Sequence, residues 1–365
     1  FVNNTAKYGG AIMNYAYGLV LDDSTFTNNT AKIGGAIYNS ADCFVVGNST
    51  FANNTAEDAG AVYNEGDNSV VGNSTFVNNT ATSIGGAIIN NGKLVVDNSA
   101  FEDNAANYYG GAIFNWDDLQ VTNSAFDGND ILVRNIRAMD NVDHGGAAIY
   151  NWKNGKLDIS KSNFTNNIKN YKNGDCLVGA VATIGDATIS DSYFVNNSGR
   201  WGGALSVMGG ESSSATNFID IDGTKFVNNS ALYGGAMFVW GSNYSISNSI
   251  FDNNSAFGKG NMTPNNNNGG ALVVTQGNIP ISGTIINSNF TNNKAQYGGA
   301  AWINEGTIDI SNSNFINNTA TVEAGAIGFE PAYTKITATV YGTNFINNTA
   351  GVDGGATVSY THLRA

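Results

Sequence analysis

Basic residues are scarce in this sequence. Lys and Arg together number 16 against 29 Asp and Glu, which gives a formal net charge of −13 and an isoelectric point near 4.4. The basic residues are scattered along the chain, whereas a nucleic-acid-binding surface needs them clustered. An acidic surface also disfavours docking onto anionic lipid. We therefore expect no nucleic-acid partner and no lipid-bound surface.

Cysteine and histidine are nearly absent, with two residues of each kind. Cys43 and Cys176 occupy different places in the chain's repeat and lie several repeats apart, so they should not form a disulfide. No Cys/His zinc spacing, phosphate-binding loop, nucleophile elbow or glycine-aspartate calcium repeat occurs. The sequence predicts no metal and no cofactor.

Proline and charge are also rare, with three prolines and 12% charged residues, while glycine reaches 45. Because 42% of the residues are hydrophobic, the chain does not have the composition of a disordered tail. No apolar run is long enough to suggest a membrane span or a signal peptide.

The chain is rich in a phenylalanine followed three residues later by an asparagine. The phenylalanines are Phe1, Phe26, Phe51, Phe76, Phe101, Phe126, Phe164, Phe194, Phe226, Phe251, Phe290, Phe315 and Phe345. The asparagines are Asn4, Asn29, Asn54, Asn79, Asn104, Asn129, Asn167, Asn197, Asn229, Asn254, Asn293, Asn318 and Asn348. The first six phenylalanines are 25 residues apart, and the later gaps are lengthened by insertions. A period of this length indicates a solenoid, in which each unit buries its apolar face against its neighbours.

Three further positions repeat with the phenylalanine. Five residues before it lies an aliphatic residue such as Val121, and two residues before it lies Ser or Thr. About ten residues after it comes Gly-Gly-Ala in most units, as at 34–36. Apolar residues fall in short runs of period 2, and nothing repeats at 3.6 residues. Each period therefore carries about three short strands, and like residues stack above like in a parallel β-helix.

In-register stacking of the repeats predicts where each repeated residue lies. The aliphatic and phenylalanine columns should point inward and form the core. The asparagine column should lie at a corner, where each amide bonds to the asparagines above and below and where Asn tolerates the left-handed conformation. The glycines should allow positive φ or close approach of neighbouring backbone. All these residues can be explained as scaffold.

The period predicts a single domain over residues 1–357, an all-β parallel β-helix of about thirteen rungs, each about 25 residues long, in a rod roughly 60 Å long. Insertions interrupt it near 127–144, 168–176, 206–217 and 257–268. Residues 358–365 break the repeat and look like a translated sequencing adapter; a linker to a further domain is the alternative. The chain starts within a repeat, so we expect it to be a piece of a longer protein.

The repeat units resemble those of known surface proteins. Residues 26–39 and 226–237 are similar to repeats of adhesin-like surface proteins of methanogenic archaea. Their Phe-x-x-Asn and Gly-Gly-Ala-Ile motifs also resemble those of bacterial polymorphic outer-membrane proteins, and the likeness extends over residues 1–357. The resemblance implies a right-handed parallel β-helix, secreted and displayed at the cell surface, with adhesion as its function.

Glycosylation sequons are frequent within the repeat. Nine units carry Asn-Asn-Thr or Asn-Asn-Ser, starting at Asn3, Asn28, Asn53, Asn78, Asn196, Asn228, Asn253, Asn317 and Asn347. Such sites can accept N-linked glycans on a secreted protein. The alternative is that Asn-Asn-Thr only serves the corner of the solenoid.

Exposed aromatic residues suggest a ligand site. Trp116 and Trp152 each follow the asparagine that closes the strand after the small residues, so they should stack on the outer surface. A further aromatic column lies immediately before Gly-Gly-Ala, at Tyr8, Tyr109, Trp201, Tyr233 and Tyr297. Aromatic faces can stack on sugar rings, although the same rings can simply stabilise the sheet.

The 127–144 insertion should lie beside this tryptophan pair. It holds Arg134, Arg137, Asp140 and Asp143, and binding residues often lie on loops of a rigid scaffold. We predict a shallow glycan site from these four residues with Trp116 and Trp152.

The main alternative is an enzyme that cleaves polysaccharides. Such an enzyme needs clustered carboxylates on adjacent rungs. Asp117 and Asp118 beside the insertion form the one plausible cluster; elsewhere the acidic residues are scattered. The sequence therefore predicts a non-catalytic, extracellular, monomeric rod that attaches to cell-surface glycans or to a host or neighbouring cell. A purely structural spacer is the remaining alternative.

Overall fold

The computed structural model describes residues 1–133, 144–168, 177–209, 217–256, 268–275, 280–331 and 335–359. Within these ranges every regular element is a β-strand of two to five residues, and the strands pair in parallel. The chain is an all-β parallel β-solenoid of about 12 turns, which confirms the predicted fold class. By contacts it groups into two compact units, unit 1 (1–169 with 180–185) and unit 2 (170–179 with 186–365). A single domain over residues 1–357 stays a prediction.

Three long sheets recur in each unit. We call them the aliphatic sheet, the phenylalanine sheet and the GGA sheet, the last because its strands follow Gly-Gly-Ala. In unit 1 the aliphatic sheet contains Val20–Asp22, Val45–Gly47, Ser69–Gly72, Leu94–Asp97, Asp118–Thr122 and Lys156–Ser160. Its phenylalanine sheet contains Thr25–Thr27, Thr50–Ala52, Thr75–Val77, Ala100–Glu102, Ala125–Asp127 and Asn163–Thr165. Its GGA sheet contains Ile12–Asn14, Ile37–Asn39, Val62–Asn64, Ile88–Asn90, Ile113–Asn115, Ile149–Asn151 and Val181–Thr183.

Unit 2 repeats the pattern. Its aliphatic sheet contains Ala187–Ser190, Phe218–Asp222, Asn243–Ser247, Ser282–Ile286, Thr307–Ser311 and Thr337–Tyr341. Its phenylalanine sheet contains Tyr193–Val195, Lys225–Val227, Ile250–Asp252, Asn289–Thr291, Asn314–Ile316 and Asn344–Ile346. Its GGA sheet contains Leu205–Met208, Met237–Trp240, Leu272–Thr275, Ala301–Ile303, Ile327–Phe329 and Thr357–Ser359.

Several rungs carry a fourth, short strand. In unit 1 these are Thr55–Ala56, Thr80–Ala81, Ala105–Ala106 and Asp130–Ile131, with His144–Gly145 in addition. In unit 2 they are Lys294–Tyr297, Thr319–Glu323 and Thr349–Ala350, with Leu177–Val178 in addition. The predicted three strands per rung are therefore a minimum.

The predicted core columns are present. In unit 1, Val96, Val121 and Ile159 stand in register on the aliphatic sheet and are buried. The phenylalanine rings stack with centroids 4.6–4.8 Å apart in unit 1 and 4.5–5.2 Å apart in unit 2. The spacing follows from the strand separation, because parallel in-register strands place each ring above the next.

The asparagine ladder is also present in each unit. Asn104 is fully buried, and its amide nitrogen donates to Asn129 Oδ1 at 3.1 Å and to the Phe76 carbonyl at 2.9 Å. Its own Oδ1 accepts from the backbone and side-chain nitrogens of Asn79, each at 3.0 Å. Every hydrogen-bonding capacity of the amide is thus used inside the solenoid. The ladder runs through Asn4, Asn29, Asn54, Asn79, Asn104, Asn129 and Asn167 in unit 1, and through Asn197, Asn229, Asn254, Asn293, Asn318 and Asn348 in unit 2.

The left-handed backbone conformation belongs to a different residue from the one expected. Asn28, which precedes the ladder residue Asn29, has a φ of 55°, and the ladder residues themselves do not have positive φ. The expectation that the ladder asparagine adopts this conformation was wrong. The exposed asparagine of the pair adopts the left-handed turn conformation, and the buried asparagine forms the ladder.

The two glycines of Gly-Gly-Ala have different reasons to lack a side chain. Gly34 has a φ of +65°, and a Cβ there would lie 2.3 Å from the Ile37 carbonyl oxygen. Gly35 has no positive φ, but its Cβ would lie 2.0 Å from the carbonyl oxygen of Gly60 on the next rung. Both predicted roles, positive φ and close backbone approach, are therefore used.

Much of the four predicted insertions lies outside the described residues, as do Cys176 and residues 360–365 of the tail. Cys43 is a free thiol that donates to the Tyr17 hydroxyl oxygen at 3.2 Å.

Candidate functional site

The outer face of the GGA sheet in unit 1 carries the tryptophan pair. Because side chains alternate along a strand, Ile113 and Asn115 point inward and Phe114 points to the opposite side, where it is also buried. Phe114 stands in register with Tyr150 on the next rung, and the two rings stack with centroids 5.6 Å apart and planes 8° apart. These rings form the floor on which the tryptophans lie.

Trp116 and Trp152 are neighbours, as predicted from their positions after Asn115 and Asn151. Their ring centroids are 5.2 Å apart, but the planes are tilted by 57° and are not parallel. Each residue lies just beyond the end of its strand and donates its backbone N–H to the preceding rung, at 2.8 Å in both cases, and the Trp152 carbonyl also accepts from the Gly155 backbone nitrogen at 2.8 Å. The Trp116 ring is 40% exposed and the Trp152 ring is half-buried.

Tyr109 joins the pair from the other edge of the sheet. It belongs to the aromatic column before Gly-Gly-Ala, and its ring approaches Tyr150 at 4.6 Å and Trp152 at 6.4 Å. The sequence places Tyr109 in a different column from Trp116 and Trp152, and the structure brings these three together with Phe114 and Tyr150. We call Tyr109, Phe114, Trp116, Tyr150 and Trp152 the Trp cluster.

A second asparagine ladder fixes the position of the Trp cluster. The Asn115 amide nitrogen donates to Asn151 Oδ1 at 2.7 Å, and the Asn151 amide nitrogen donates to Thr183 Oγ1 at 3.0 Å. The ladder starts at Asn14 and runs through Asn39, Asn64, Asn90, Asn115 and Asn151, all of them buried. Sequence reasoning noted the closing asparagine but missed this role; its recurrence in six successive GGA strands was the available signal.

A serine ladder was missed as well. The Ser99 backbone nitrogen donates to Ser124 Oγ at 3.1 Å, while the Ser99 hydroxyl donates to the Asp97 carbonyl at 2.9 Å. The same pair of bonds recurs from Ser49 to Ser124 in unit 1 and at Ser249 and Ser288 in unit 2. The invariable Ser or Thr before the phenylalanine is explained by this contact.

The charged half of the predicted site lies outside the described residues. This holds for Arg134, Arg137, Asp140 and Asp143, so the structure does not place them against the Trp cluster. Asp118 is half-buried at the start of the strand Asp118–Thr122, where it pairs in register with Lys156.

Tyrosines continue the aromatic face toward earlier rungs. Tyr38 and Tyr63 stand in register and stack with centroids 4.9 Å apart. Burial raises the pKa of Tyr63, and burial with a hydrogen bond to Glu65 raises the pKa of Tyr38. Both hydroxyls therefore stay protonated at neutral pH and can donate hydrogen bonds.

The sequons fall at exposed corners of the described rungs. Asn28 and Asn53 are exposed in the left-handed turn, while their partners Asn29 and Asn54 are buried in the ladder. Glycosylation at the first asparagine of each pair stays a prediction.

Two features that would bear on function are absent from the described part of the chain. No group of three or more His, Cys, Asp or Glu side chains there has the arrangement of a metal site. Over the same residues, no helix has the length and apolar character needed to cross a membrane.

These features define a parallel β-solenoid with an aromatic outer face. Residues 23–40 match the model of the Chlamydia polymorphic membrane protein (Chlamydia_PMP) repeat. The match covers 18 residues of one 25-residue repeat, from Asp23 through Phe26 and Gly-Gly-Ala to Ser40. No curated protein and no solved structure matches the chain. The chain is thus similar in its repeat to polymorphic membrane proteins.

Proposed function

We propose that this protein is a non-catalytic, adhesin-like β-solenoid of the cell surface that binds glycans through the Trp cluster. The observation that supports the proposal is the exposed Trp116 ring beside Trp152, held in place by the second asparagine ladder. The partner is a glycan on a host or neighbouring cell.

The chemistry of the Trp cluster suits a sugar. Large rigid rings offer apolar contact area at little conformational cost, and sugars present apolar C–H faces to such rings. Indole N–H groups and tyrosine hydroxyls can donate to sugar hydroxyls. A site built on strand ends is also more rigid than one built on loops alone, which reduces the entropy cost of binding.

An extracellular location is supported by the match to a polymorphic membrane protein repeat. We further propose that the chain is similar to the adhesin-like surface proteins of methanogenic archaea, as its Asn-Asn-Thr and Gly-Gly-Ala units suggest. The sequence of the gene's neighbours in its source genome would test that origin.

Glycan binding can be tested by array and calorimetry with the parent chain and the double variant Trp116→Ala with Trp152→Ala. We expect the double variant to lose binding and to keep the parent's thermal unfolding, because both rings lie outside the core. Phe218→Ala is a matched control, since Phe218 is 49% exposed on the aliphatic sheet of unit 2. Equal binding by parent and double variant would refute the proposed site.

A reducing-sugar assay on the same glycans separates adhesion from cleavage. Release of sugar that is lost in Asp117→Asn or Asp118→Asn would favour the alternative of a lyase or glycoside hydrolase. Failure of the parent to bind any glycan would favour a structural spacer, in which the Trp cluster only stabilises the sheet.

A further inference from the structure

We propose that a row of asparagines along one corner of unit 1 accepts N-linked glycans. The row consists of the exposed first members of four asparagine pairs, namely Asn3, Asn28, Asn53 and Asn78. Each begins an Asn-Asn-Thr sequon, the acceptor motif for N-linked glycans on secreted chains. The assignment rests on the extracellular location proposed above and is independent of ligand binding by the Trp cluster.

The side-chain amides in this row are accessible. Asn28, Asn53 and Asn78 are exposed and have left-handed φ values of 55°, 56° and 53°. Their backbone nitrogens donate to carbonyls of the next rung, at 3.0 Å in each case. Within the described residues no hydrogen bond uses their side-chain amides. A bulky glycan can therefore be joined to each amide nitrogen without breaking a contact that holds the solenoid.

The hydroxyl residue of each sequon is accessible as well. Thr30 and Thr55 are exposed, and Thr80 is half-buried. In the part of the chain that the structure describes, no hydrogen bond engages these three hydroxyls. The acceptor motif needs this hydroxyl in addition to the amide, so both of its groups are available in unit 1.

The corresponding sequons of unit 2 use the same groups for contacts between rungs. The Asn253 amide nitrogen donates to Asn228 Oδ1 at 2.7 Å. The Ser198 and Ser230 hydroxyls lie 3.2 Å apart and share a hydrogen bond. Unit 1 therefore holds the better acceptors.

The buried member of each pair is spared. Asn29 is fully buried in the ladder, where its amide nitrogen donates to Asn54 Oδ1 at 2.9 Å. The residue two positions after it is Ala31, which is also buried, so Asn29 does not begin a sequon. No asparagine of either ladder in unit 1 has Ser or Thr two residues later. The motif thus selects the one asparagine of each pair that can carry a glycan.

The row ends where the Trp cluster begins. The next three corners of unit 1 have the same left-handed conformation but hold Asp103, Gly128 and Asn166. None of them has Ser or Thr two residues later, so none is a sequon. The first two of these corners lead into the strands Ile113–Asn115 and Ile149–Asn151, which Trp116 and Trp152 follow. The glycans and the Trp cluster therefore belong to different rungs.

Other sequons in the described part of unit 1 allow an internal comparison. They begin at Asn48, Asn73 and Asn163. The Asn48 amide nitrogen donates to Asp22 Oδ1 at 2.8 Å, and Asn73 Oδ1 accepts from the Asn98 amide nitrogen at 2.6 Å. The threonine of the third sequon donates its hydroxyl to Asp127 Oδ1 at 2.6 Å. Because each has a group engaged between rungs, we expect these sequons to carry less glycan than the row.

Site occupancy can be measured on the parent chain secreted from a eukaryotic host, whose oligosaccharyl transferase reads the same motif. Peptide mass spectrometry after enzymatic removal of the glycans in heavy-oxygen water marks each modified asparagine. We expect glycan on most chains at Asn28, Asn53 and Asn78, and less at Asn48 and Asn73. The glycosylated chain and its deglycosylated form should unfold at the same temperature, because no contact of the fold is changed.

Three variants test the row directly. Thr55→Ala should remove the glycan from Asn53 while keeping that asparagine. Asn53→Gln should remove the same glycan and leave thermal unfolding unchanged. Asp103→Asn with Ala105→Thr places the motif at an equivalent left-handed corner in a rung of the Trp cluster and should add one glycan to the chain.

Two results would overturn the assignment. One is a secreted chain whose sequons at Asn28, Asn53 and Asn78 carry no glycan, or less than those at Asn48 and Asn73. The other is a glycosylated chain that unfolds at a lower temperature than its deglycosylated form, since the corner would then not tolerate the modification. Neither result involves sugar binding by the Trp cluster, so the proposed adhesin function is tested separately.

Discussion

The last inward position of the GGA strand differs between the two units. In unit 1 it holds the buried asparagines of the second ladder, such as Asn90 and Asn115. In unit 2 the same position, three residues after the Ala of Gly-Gly-Ala or its equivalent, holds the buried residues Val207, Val239, Val274, Ile303 and Phe329, with Ser359 on the last strand. One backbone position is therefore filled by an amide column in one unit and by an apolar column in the other.

The difference shows that a column must be consistent along its length. An amide in the core is stable when amides above and below satisfy it, because an unpaired one costs the full loss of its hydration. An aliphatic side chain needs apolar neighbours for the same reason. In unit 1 the amide column ends at Thr183, whose hydroxyl accepts from Asn151 and donates to the Gly185 carbonyl at 2.8 Å. That hydroxyl satisfies the last amide.

The columns on the outer side of the GGA sheets differ from one another in exposure, since Phe114 and Tyr150 of unit 1 are as deeply buried as Trp302 at the equivalent position of unit 2. Trp302 of unit 2 is 2% exposed and packs in a cluster with Phe238 and Val273. Its ring lies over Gly328, where a Cβ would be 2.1 Å from it. Trp116 of unit 1 is 40% exposed. The unit 2 residue at the position equivalent to Trp116 is Trp240, which is half-buried. An aromatic column alone therefore does not make a ligand surface, and Trp116 is the more exposed of these two tryptophans.

The largest loss of stability is expected in the aliphatic column, which both units share. Val121→Asp in unit 1 and Ile246→Asp in unit 2 each bury an unpaired carboxylate between aliphatic neighbours in register. Each should cost about 4 kcal/mol or more and abolish cooperative unfolding, measured by circular dichroism on heating. Gln120→Asp on the exposed face is the control. A normal transition in Val121→Asp would mean that this column faces solvent.

The shared asparagine ladder should be equally sensitive in both units. Asn104→Ala and Asn254→Ala each remove an amide that bonds to two neighbouring asparagines and to a phenylalanine carbonyl. We expect a loss of about 1–3 kcal/mol in the free energy of unfolding, measured with urea. The exposed neighbour gives the control Asn253→Asp. A loss in one unit only would contradict a common role.

The last inward position of the GGA strand, which differs between the units, can be tested by placing the asparagine of unit 1 in unit 2. Val239→Asn places one amide among apolar neighbours and should cost about 1–3 kcal/mol, again measured with urea. The triple variant Val207→Asn, Val239→Asn and Val274→Asn should cost less per residue, because adjacent amides can bond to each other as in unit 1. Strict additivity of the three losses would break the argument that continuity of the column matters.

The smallest effect concerns acid sensitivity, which the units share. Hydrogen bonds from the Thr122 and Asn123 side chains hold the pKa of Asp97 below its ordinary value. Hydrogen bonds from the Ser247 and Asn248 side chains do the same for Asp222. Because the folded pKa is depressed, the stabilisation is present above the ordinary carboxyl pKa and is lost as pH falls through the folded value. Asp97→Asn should therefore reduce the difference in urea midpoint between neutral and acid pH. An unchanged difference would show that these bonds contribute nothing measurable.

Sequence periodicity predicted most of the scaffold. The aliphatic column, the phenylalanine stack and the asparagine ladder follow from in-register parallel stacking, in which one unit's pattern is the pattern of all. The left-handed residue was assigned to the wrong asparagine of the pair, because spacing alone does not say which of two adjacent residues turns the chain. The second asparagine ladder was missed because it is confined to unit 1.

The candidate site was only partly predictable. That Trp116 and Trp152 are neighbours follows from the repeat, but their tilt of 57° and the approach of Tyr109 from the opposite edge depend on packing. The four charged residues assigned to the site lie outside the described residues, so their contribution stays a prediction.

The sequence by itself determined which residues stack and which face the core, because a repeat of fixed length leaves one register that aligns its apolar columns. Tertiary structure alone decided which aromatic rings remain exposed. Trp116 and Trp302 occupy different columns of similar strands, and their exposure depends on the side chains of neighbouring rungs, such as Gly328 beneath Trp302. Those neighbours are about 25 residues or more away in the chain, and their side chains meet only when the rungs are stacked.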